Sequence, residues 1–244
     1  MNVIVKIKPR NSQLHPNAFR VWDFMKSLGK WFFVRLGTYL EKVQKQIEYR
    51  SLPQFAQPTH NVTIKFPRNI ANSKHIYLGE NVHIGPGCFL LALTEYPTRK
   101  MQSKEHTTPT QFFNPVIKIG DNFTATSNVQ IAAVKEVIIE DEVMFASNIF
   151  VADHSHGYAN PYLAYKYQDI TNIAPVHIKK GSWLGNGVVV MPGVTIGEYA
   201  IIGAYSMVNK DIQPKSISFG VPAKVHKIWD ESEKSWKRVY HDYK

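Results

Sequence analysis

Residues 184–213 read LGNGVV VMPGVT IGEYAI IGAYSM VNKDIQ, five consecutive blocks of six that share one pattern. An aliphatic residue opens each block at Leu184, Val190, Ile196, Ile202 and Val208. A small or branched residue stands four later, at Val188, Val194, Ala200, Ser206 and Ile212. Helices repeat near 3.6 and half-buried strands near 2, so a beat of six matches neither. It predicts a hexapeptide β-helix, in which about three blocks complete a coil and inward aliphatics stack from coil to coil.

Working outward, the same beat marks Leu78 and Ile84, then Ile119, Ala125 and Ile131, then Ile139, Phe145 and Val151. Gly79, Gly85, Gly120, Gly185, Gly197 and Gly203 follow an opening aliphatic, where glycine permits a tight corner. The pattern predicts a prism of short parallel strands over residues 60–228. It breaks at 91–115, which is polar and proline-marked, and again at 153–175, DHSHGYANPYLAYKYQDITNIAP. Each break is longer than about 20 residues, a length that in a compact domain marks function or disorder. The second holds Tyr158, Tyr162, Tyr165 and Tyr167, which is not a disordered composition.

The flanks lie outside the repeat. Residues 1–59 are basic, aromatic and mainly helical in pattern: Pro16 and Asn17 open a segment in which Phe24, Leu28, Phe32, Leu36, Tyr39 and Val43 recur at three or four. Gly29 and Gly37 are expected to divide it. Ten Lys and Arg face three acids, 10 − 3 = +7, so the segment reads either as helices packed over the main body or as a patch for the inner membrane surface or an anionic glycan. Residues 229–244 are expected to form a C-terminal helix with Trp229, Trp236 and Tyr240 near one face.

Composition narrows the partners. The chain of 244 residues is 44% hydrophobic and 20% charged, an ordinary globular balance. Its net charge of +10 calls for an anionic partner. There is no zinc-finger spacing, aromatic ribonucleoprotein signature or basic heptad helix, so a phosphate-bearing small molecule or a membrane surface is preferred over nucleic acid. The single cysteine, Cys88, sits at a fourth position of the hexad, fits a packed thiol and excludes an intrachain disulfide framework. No apolar run approaches the roughly 18 residues needed to span a bilayer. The opening MNVIVKIKPRN lacks a cleavage signature, and a cytoplasmic protein is expected.

The hexads, the histidine-bearing second break and the block GSWLGNGVVVMPGVTIGEYAIIGAYSMVNKDI followed by GVPAKVHKI together resemble the hexapeptide-repeat acyltransferases. Within them the chain is most similar to the group of galactoside and maltose acetyltransferases and polysaccharide O-acetyltransferases. The resemblance covers roughly residues 60 to 228. It implies an all-β, left-handed parallel β-helix, a homotrimer with sites between prisms, acetyl-coenzyme A as donor and no metal requirement.

Acetyl transfer to a hydroxyl needs a general base, and a neutral imidazole suits that task near pH 7. Placed against the family pattern, FASNIFVADHSHGY puts His156 at the base, with His154 two residues earlier as the second candidate and Asp153 as the carboxylate that fixes a tautomer. The same resemblance implies donor contacts at Trp183, Gly185, Asn186, Gly203 and Ala204, cations for the nucleotide end at Lys210, Lys224 and Lys227, and Pro222 against the adenine. Asn128 and Tyr158 are the acceptor candidates. The leading reading is an O-acetyltransferase acting on a bacterial surface glycan (O-antigen, capsule or a precursor) by direct transfer in a ternary complex. A small acceptor such as an antibiotic, a serine or a nucleotide-linked amino sugar is the alternative. A carbonic anhydrase-like metal lyase on the same fold is more remote, since a third histidine has no matching position.

Overall fold

A computed structural model of the chain describes residues 16–102 and 108–240, with side chains from residue 28 onward. The opening stretch MNVIVKIKPRN, the middle of the first break and the last four residues of the expected C-terminal helix lie outside the described residues. The chain divides into two units, Met1–Ile47 and Glu48–Lys244.

The first unit is built on one helix, Pro16–Arg50, which runs through Gly29 and Gly37 without a break. Each glycine costs about 1 kcal/mol relative to alanine, and the Leu, Lys, Arg, Glu and Gln around them are good helix formers that offset it. The expected division at the glycines is therefore not found. The last turn belongs to the second unit, where Glu48 is buried. The Glu48 carboxylate accepts the Phe66 N–H at 3.3 Å, and its carbonyl accepts from the Arg68 guanidinium at 2.9 Å.

In the second unit three parallel sheets form the faces of a prism. The first stacks Thr63–Ile64, His83–Ile84, Thr124–Ser127, Met144–Ser147, Trp183–Leu184, Ile201–Ile202 and Ser216–Gly220. The second stacks Arg68–Ala71, Cys88–Ala92, Gln130–Ala133, Phe150–Ala152, Val189–Val190 and Met207–Val208. The third stacks Ile76–Leu78, Val116–Ile119, Glu136–Ile139, Val176–Ile178 and Thr195–Ile196. Every pairing among these strands is parallel, and residues of equal hexad phase meet. Ile84 pairs with Ala125, Ala125 with Phe145, Phe145 with Leu184 and Leu184 with Ile202. These partners are all buried, as are Leu90, Ile131, Val151, Val190 and Val208 on the second face. Cys88 is buried among them, and burial pushes its thiol up to about 11.

Two features hold the coils at this spacing. A Cβ on Gly85 would stand 1.6 Å from the Thr126 carbonyl oxygen of the next coil, so this glycine serves close approach rather than an unusual φ. Several positive-φ corner positions are instead taken by asparagines: Asn61, Asn81 and Asn122 at one corner, Asn128 and Asn148 at another. Their side chains form ladders, with Asn81 donating to Asn122 at 3.0 Å, Asn128 to Asn148 at 3.1 Å and Asn148 to Asn186 at 3.4 Å.

The expected C-terminal helix is not present among the described residues. Ala223–Asp230 turns back along Ser216–Gly220, and Ser235–Arg238 pairs with it in turn, both antiparallel. The aromatics spaced by seven are cross-strand partners: Trp229 opposes Trp236 with ring centroids 5.4 Å apart. Asp230 closes the turn by accepting the Ser232 and Glu233 N–H groups at 2.9 Å each. A spacing of seven suits one helix face as well as a hairpin, and the turn chemistry between the tryptophans decides it.

Replacing Phe145, which is fully buried and edge-on to Phe123 at 5.1 Å, by alanine is expected to cost about 3–5 kcal/mol, read as a lower midpoint in urea unfolding.

Candidate active site

Both breaks of the hexad leave the prism at the same corner, the passage from the second sheet to the third. One leaves after Ala92 and returns at Val116; the other leaves after Ala152 and returns at Val176. The coil between them turns this corner directly through Val134 and Lys135. Ala92 pairs with Ala133 and Ala132 with Ala152, so Asp153 falls in line with two inward alanines.

Asp153 is 0% exposed. The direct corner supplies its partners: Val134 N–H donates to its two oxygens at 2.9 and 3.2 Å, and Lys135 and Glu136 N–H each donate to Oδ2 at 2.7 Å. His154 Nδ1 lies 2.7 Å from Oδ1. A carboxylate only accepts, so this contact assigns the imidazole proton to Nδ1 and leaves a lone pair on Nε2. The His154 side chain is 10% exposed.

His156 is placed differently. It lies on Ser155–His156, paired antiparallel with Ile170–Thr171, and its ring sits 5.1 Å from that of Tyr96. Desolvation first, and the charge of His154 second, hold its pKa below the ordinary value of 6.5. The Asp153 contact therefore belongs to His154 and not to His156. Among the described residues His156 has no carboxylate behind it, so of the two candidate histidines it is His154 that Asp153 holds. The neighbouring imidazole folds back onto the buried carboxylate, while the antiparallel pair carries His156 outward.

The first break walls this site. Its strands Glu95–Tyr96 and Gln111–Phe112 pair with each other, and Tyr96, Val134 and Ile170 bury together. The Tyr96 hydroxyl donates to the Lys166 carbonyl at 2.7 Å. The Gln111 side chain brackets the Ile170 backbone, accepting at 2.6 Å and donating at 3.3 Å. Neither Tyr96 nor Gln111 was singled out by sequence, although the shared exit corner of the two breaks was the available signal. Beside the histidine loop lies a cavity of about 450 Å³ lined by Ser155, Asn172, Ile173, Ala174, Met191 and Pro192. Of the four loop tyrosines, Tyr158, Tyr162 and Tyr165 are exposed and Tyr167 is buried.

The other expected positions fall into two groups. Gly185 and Gly203 end successive strands of the first sheet. A Cβ on Gly185 would meet Ala204 N at 2.8 Å, and one on Gly203 would meet Phe219 Cβ at 2.7 Å. Phe219 pairs with Lys224, and Pro222 lies in the turn just before it, so Gly203, Ala204, Pro222 and Lys224 form one neighbourhood. Lys227 continues the same strand, and Trp183 is 43% exposed on the first face between Met144 and Ile201. Asn186 and Asn128 are members of the corner ladder, with Asn186 donating to the Tyr205 hydroxyl at 3.1 Å. This corner opens the second sheet, whereas Asp153 and His154 stand where that sheet ends. Lys210 also follows the closing edge, so it does not join Lys224. No group of three or more His, Cys, Asp or Glu side chains disposed to hold a metal ion occurs among the described residues.

Comparison with known proteins fits this architecture. Residues 175–210 match the family described as "Bacterial transferase hexapeptide (six repeats)". The chain is 32% identical over 188 residues to "Putative lipopolysaccharide biosynthesis O-acetyl transferase WbbJ" of Escherichia coli (strain K12), covering 72% of this chain and 83% of that protein. It is 35% identical over 128 residues to the galactoside O-acetyltransferase of the same organism, covering 52% of this chain and 61% of that one. Among solved structures it resembles AntD, an N-acyltransferase from Bacillus cereus in complex with dTDP and coenzyme A, with a TM-score of 0.57 and 21% identity, covering 78% and 91% of the two chains. The chain belongs to the hexapeptide-repeat acyltransferase family, and its prism is the left-handed parallel β-helix of that family. It is an acyltransferase.

Asp153→Asn would turn an amide donor toward the three backbone donors of Val134, Lys135 and Glu136. A loss of about 1–3 kcal/mol in unfolding free energy is expected, together with release of His154 from a single tautomer in nitrogen NMR spectra. The lowered pKa of His156 means that the folded chain binds this proton less tightly than the unfolded chain. Its contribution to stability is complete above the ordinary 6.5 and is lost as pH falls from there through the folded value. An NMR titration should place His156 below 6.5, and His154→Gln should return it only part of the way, because burial is the larger cause.

Proposed function

We propose that the chain transfers the acetyl group of acetyl-coenzyme A to a hydroxyl of a bacterial surface glycan, with His154 as general base. The observation that carries this reading is the Asp153–His154 pair, a buried carboxylate that holds Nδ1 and leaves the Nε2 lone pair to accept a proton. The similarity to a protein named for lipopolysaccharide biosynthesis favours O-antigen, capsule or a lipid-linked precursor as acceptor.

The residues present suit the donor. The Ala204 N–H has no acceptor among the described residues and can donate to an extended thiol arm laid along the corner made by Gly185 and Gly203. Lys224 and Lys227 are cations for its phosphates, with Pro222 and Trp183 as apolar neighbours. Bound acetyl-coenzyme A would supply the acetyl group as a thioester. His154 Nε2 accepts the proton of the acceptor hydroxyl as that oxygen bonds to the acyl carbon, and returns it to the departing sulfur as the carbon–sulfur bond breaks. Asp153 keeps the imidazole in one orientation and offsets its charge while it holds the extra proton. The products are an acetyl ester and a free thiol, with no covalent enzyme intermediate.

Within one protomer the donor corner and the catalytic corner stand at opposite edges of the second sheet, which favours a site completed between neighbouring copies and hence a homotrimer. Tyr96, Tyr158 and the cavity beside Ser155 are the acceptor side. The cellular setting that follows is cytoplasmic, with peripheral contact at the inner membrane surface.

His154→Gln is expected to lower kcat by about 10²–10⁴-fold with little change in KM for the donor, whereas His156→Gln should lose less than about tenfold. Acetyl transfer by both variants to a polymer and to a free sugar is the measurement. The opposite ranking would return the base to His156, and a preference for the free sugar would move the acceptor to the small-molecule class.

A further inference from the structure

The helix Pro16–Arg50 carries an exposed apolar face. Leu28, Phe32, Phe33, Leu36, Tyr39, Leu40, Val43 and Ile47 fall within an arc of about 140° at 3.6 residues per turn. Phe33 is 70% exposed and Tyr39 63%. Such a face is far larger than isolated surface apolar residues require. Trp31 and Val34 apart, the rest of the helix is polar and cationic: over residues 28–47, Lys30, Arg35, Lys42 and Lys45 oppose Glu41, 4 − 1 = +3. Arg35 and Lys42 flank the apolar arc, and the Arg35 guanidinium lies 4.4 Å over the Trp31 ring. No helix among the described residues is long and apolar enough to cross a membrane.

We propose that this helix lies in the surface of an anionic lipid bilayer, its apolar face set into the acyl boundary and its cations among the headgroups. Aromatic and leucine side chains on one face with Lys and Arg on the other are the composition of an interfacial helix. Flanking Arg and Lys extend their stems along the apolar surface while their charges stay with the phosphates. A second copy of the helix is the competing occupant. A heptad seam runs through Phe33, Leu36, Leu40, Val43 and Ile47, but its next positions are Gly29 and Lys26, and it leaves Leu28, Phe32 and Tyr39 uncovered. The broad arc favours the bilayer. This surface does not depend on the chemistry assigned to His154.

Co-sedimentation of the full chain with vesicles tests the proposal, comparing phosphatidylglycerol–phosphatidylethanolamine with phosphatidylcholine alone. Binding is expected to the anionic vesicles and to weaken steeply with added salt. Phe33→Asp with Leu40→Asp, and separately Lys30→Glu with Arg35→Glu and Lys42→Glu, should each lower partitioning by about tenfold or more. Circular dichroism should stay unchanged, and so should acetyl transfer to a soluble acceptor. The proposal fails if the chain ignores anionic vesicles, or if the Asp pair changes the oligomer mass in solution while partitioning is unaltered. Loss of transfer activity in the unmodified chain would count against the catalytic reading alone.

Discussion

The register between coils is the constraint from which the rest of this molecule follows. Each inward side chain must meet its counterpart one coil away, because an aliphatic out of phase would face solvent and leave a void in a close-packed interior. Ile84 finds Ala125 across 41 positions (125 − 84), and Phe145 finds Leu184 across 39 (184 − 145). Between them Ala125 reaches Phe145 in 20 (145 − 125). Extra chain is therefore tolerated only as excursions that return to the point they left.

That rule concentrates chemistry at one corner. Two excursions leave from the same edge, on either side of a coil that turns directly, and the direct turn presents three successive N–H groups. Asp153, in line with Ala92 and Ala133, delivers a carboxylate to those donors from inside the prism. A buried charge left without partners would be costly, and here both oxygens are fully engaged. The residue that receives the remaining geometry is His154, the next in the chain. The scaffold thus orients an imidazole through backbone amides that belong to its own folding.

The first excursion shows how such a corner acquires a wall. Tyr96 and Gln111 tie it to the second excursion through one hydroxyl and one bidentate amide, so two long loops become a single packed layer over the histidines. The C-terminal hairpin performs a related task at the last coil, where its strands extend the first sheet beyond the prism and bring Lys224 beside Phe219.

The six-residue beat by itself determined the fold, the phase of the core and the positions of both breaks, because solvent exclusion acts on every hexad in the same way. The histidine pair and the aspartate before it were equally legible as residues able to move a proton. Which histidine Asp153 serves was decided only by tertiary structure, since the choice depends on three amides from a neighbouring coil that no local spacing reveals. The same holds for the C-terminal segment, whose tryptophans seven apart suit one helix face or two strands of a hairpin. There the Asp230 turn and the open edge of the first sheet made the selection.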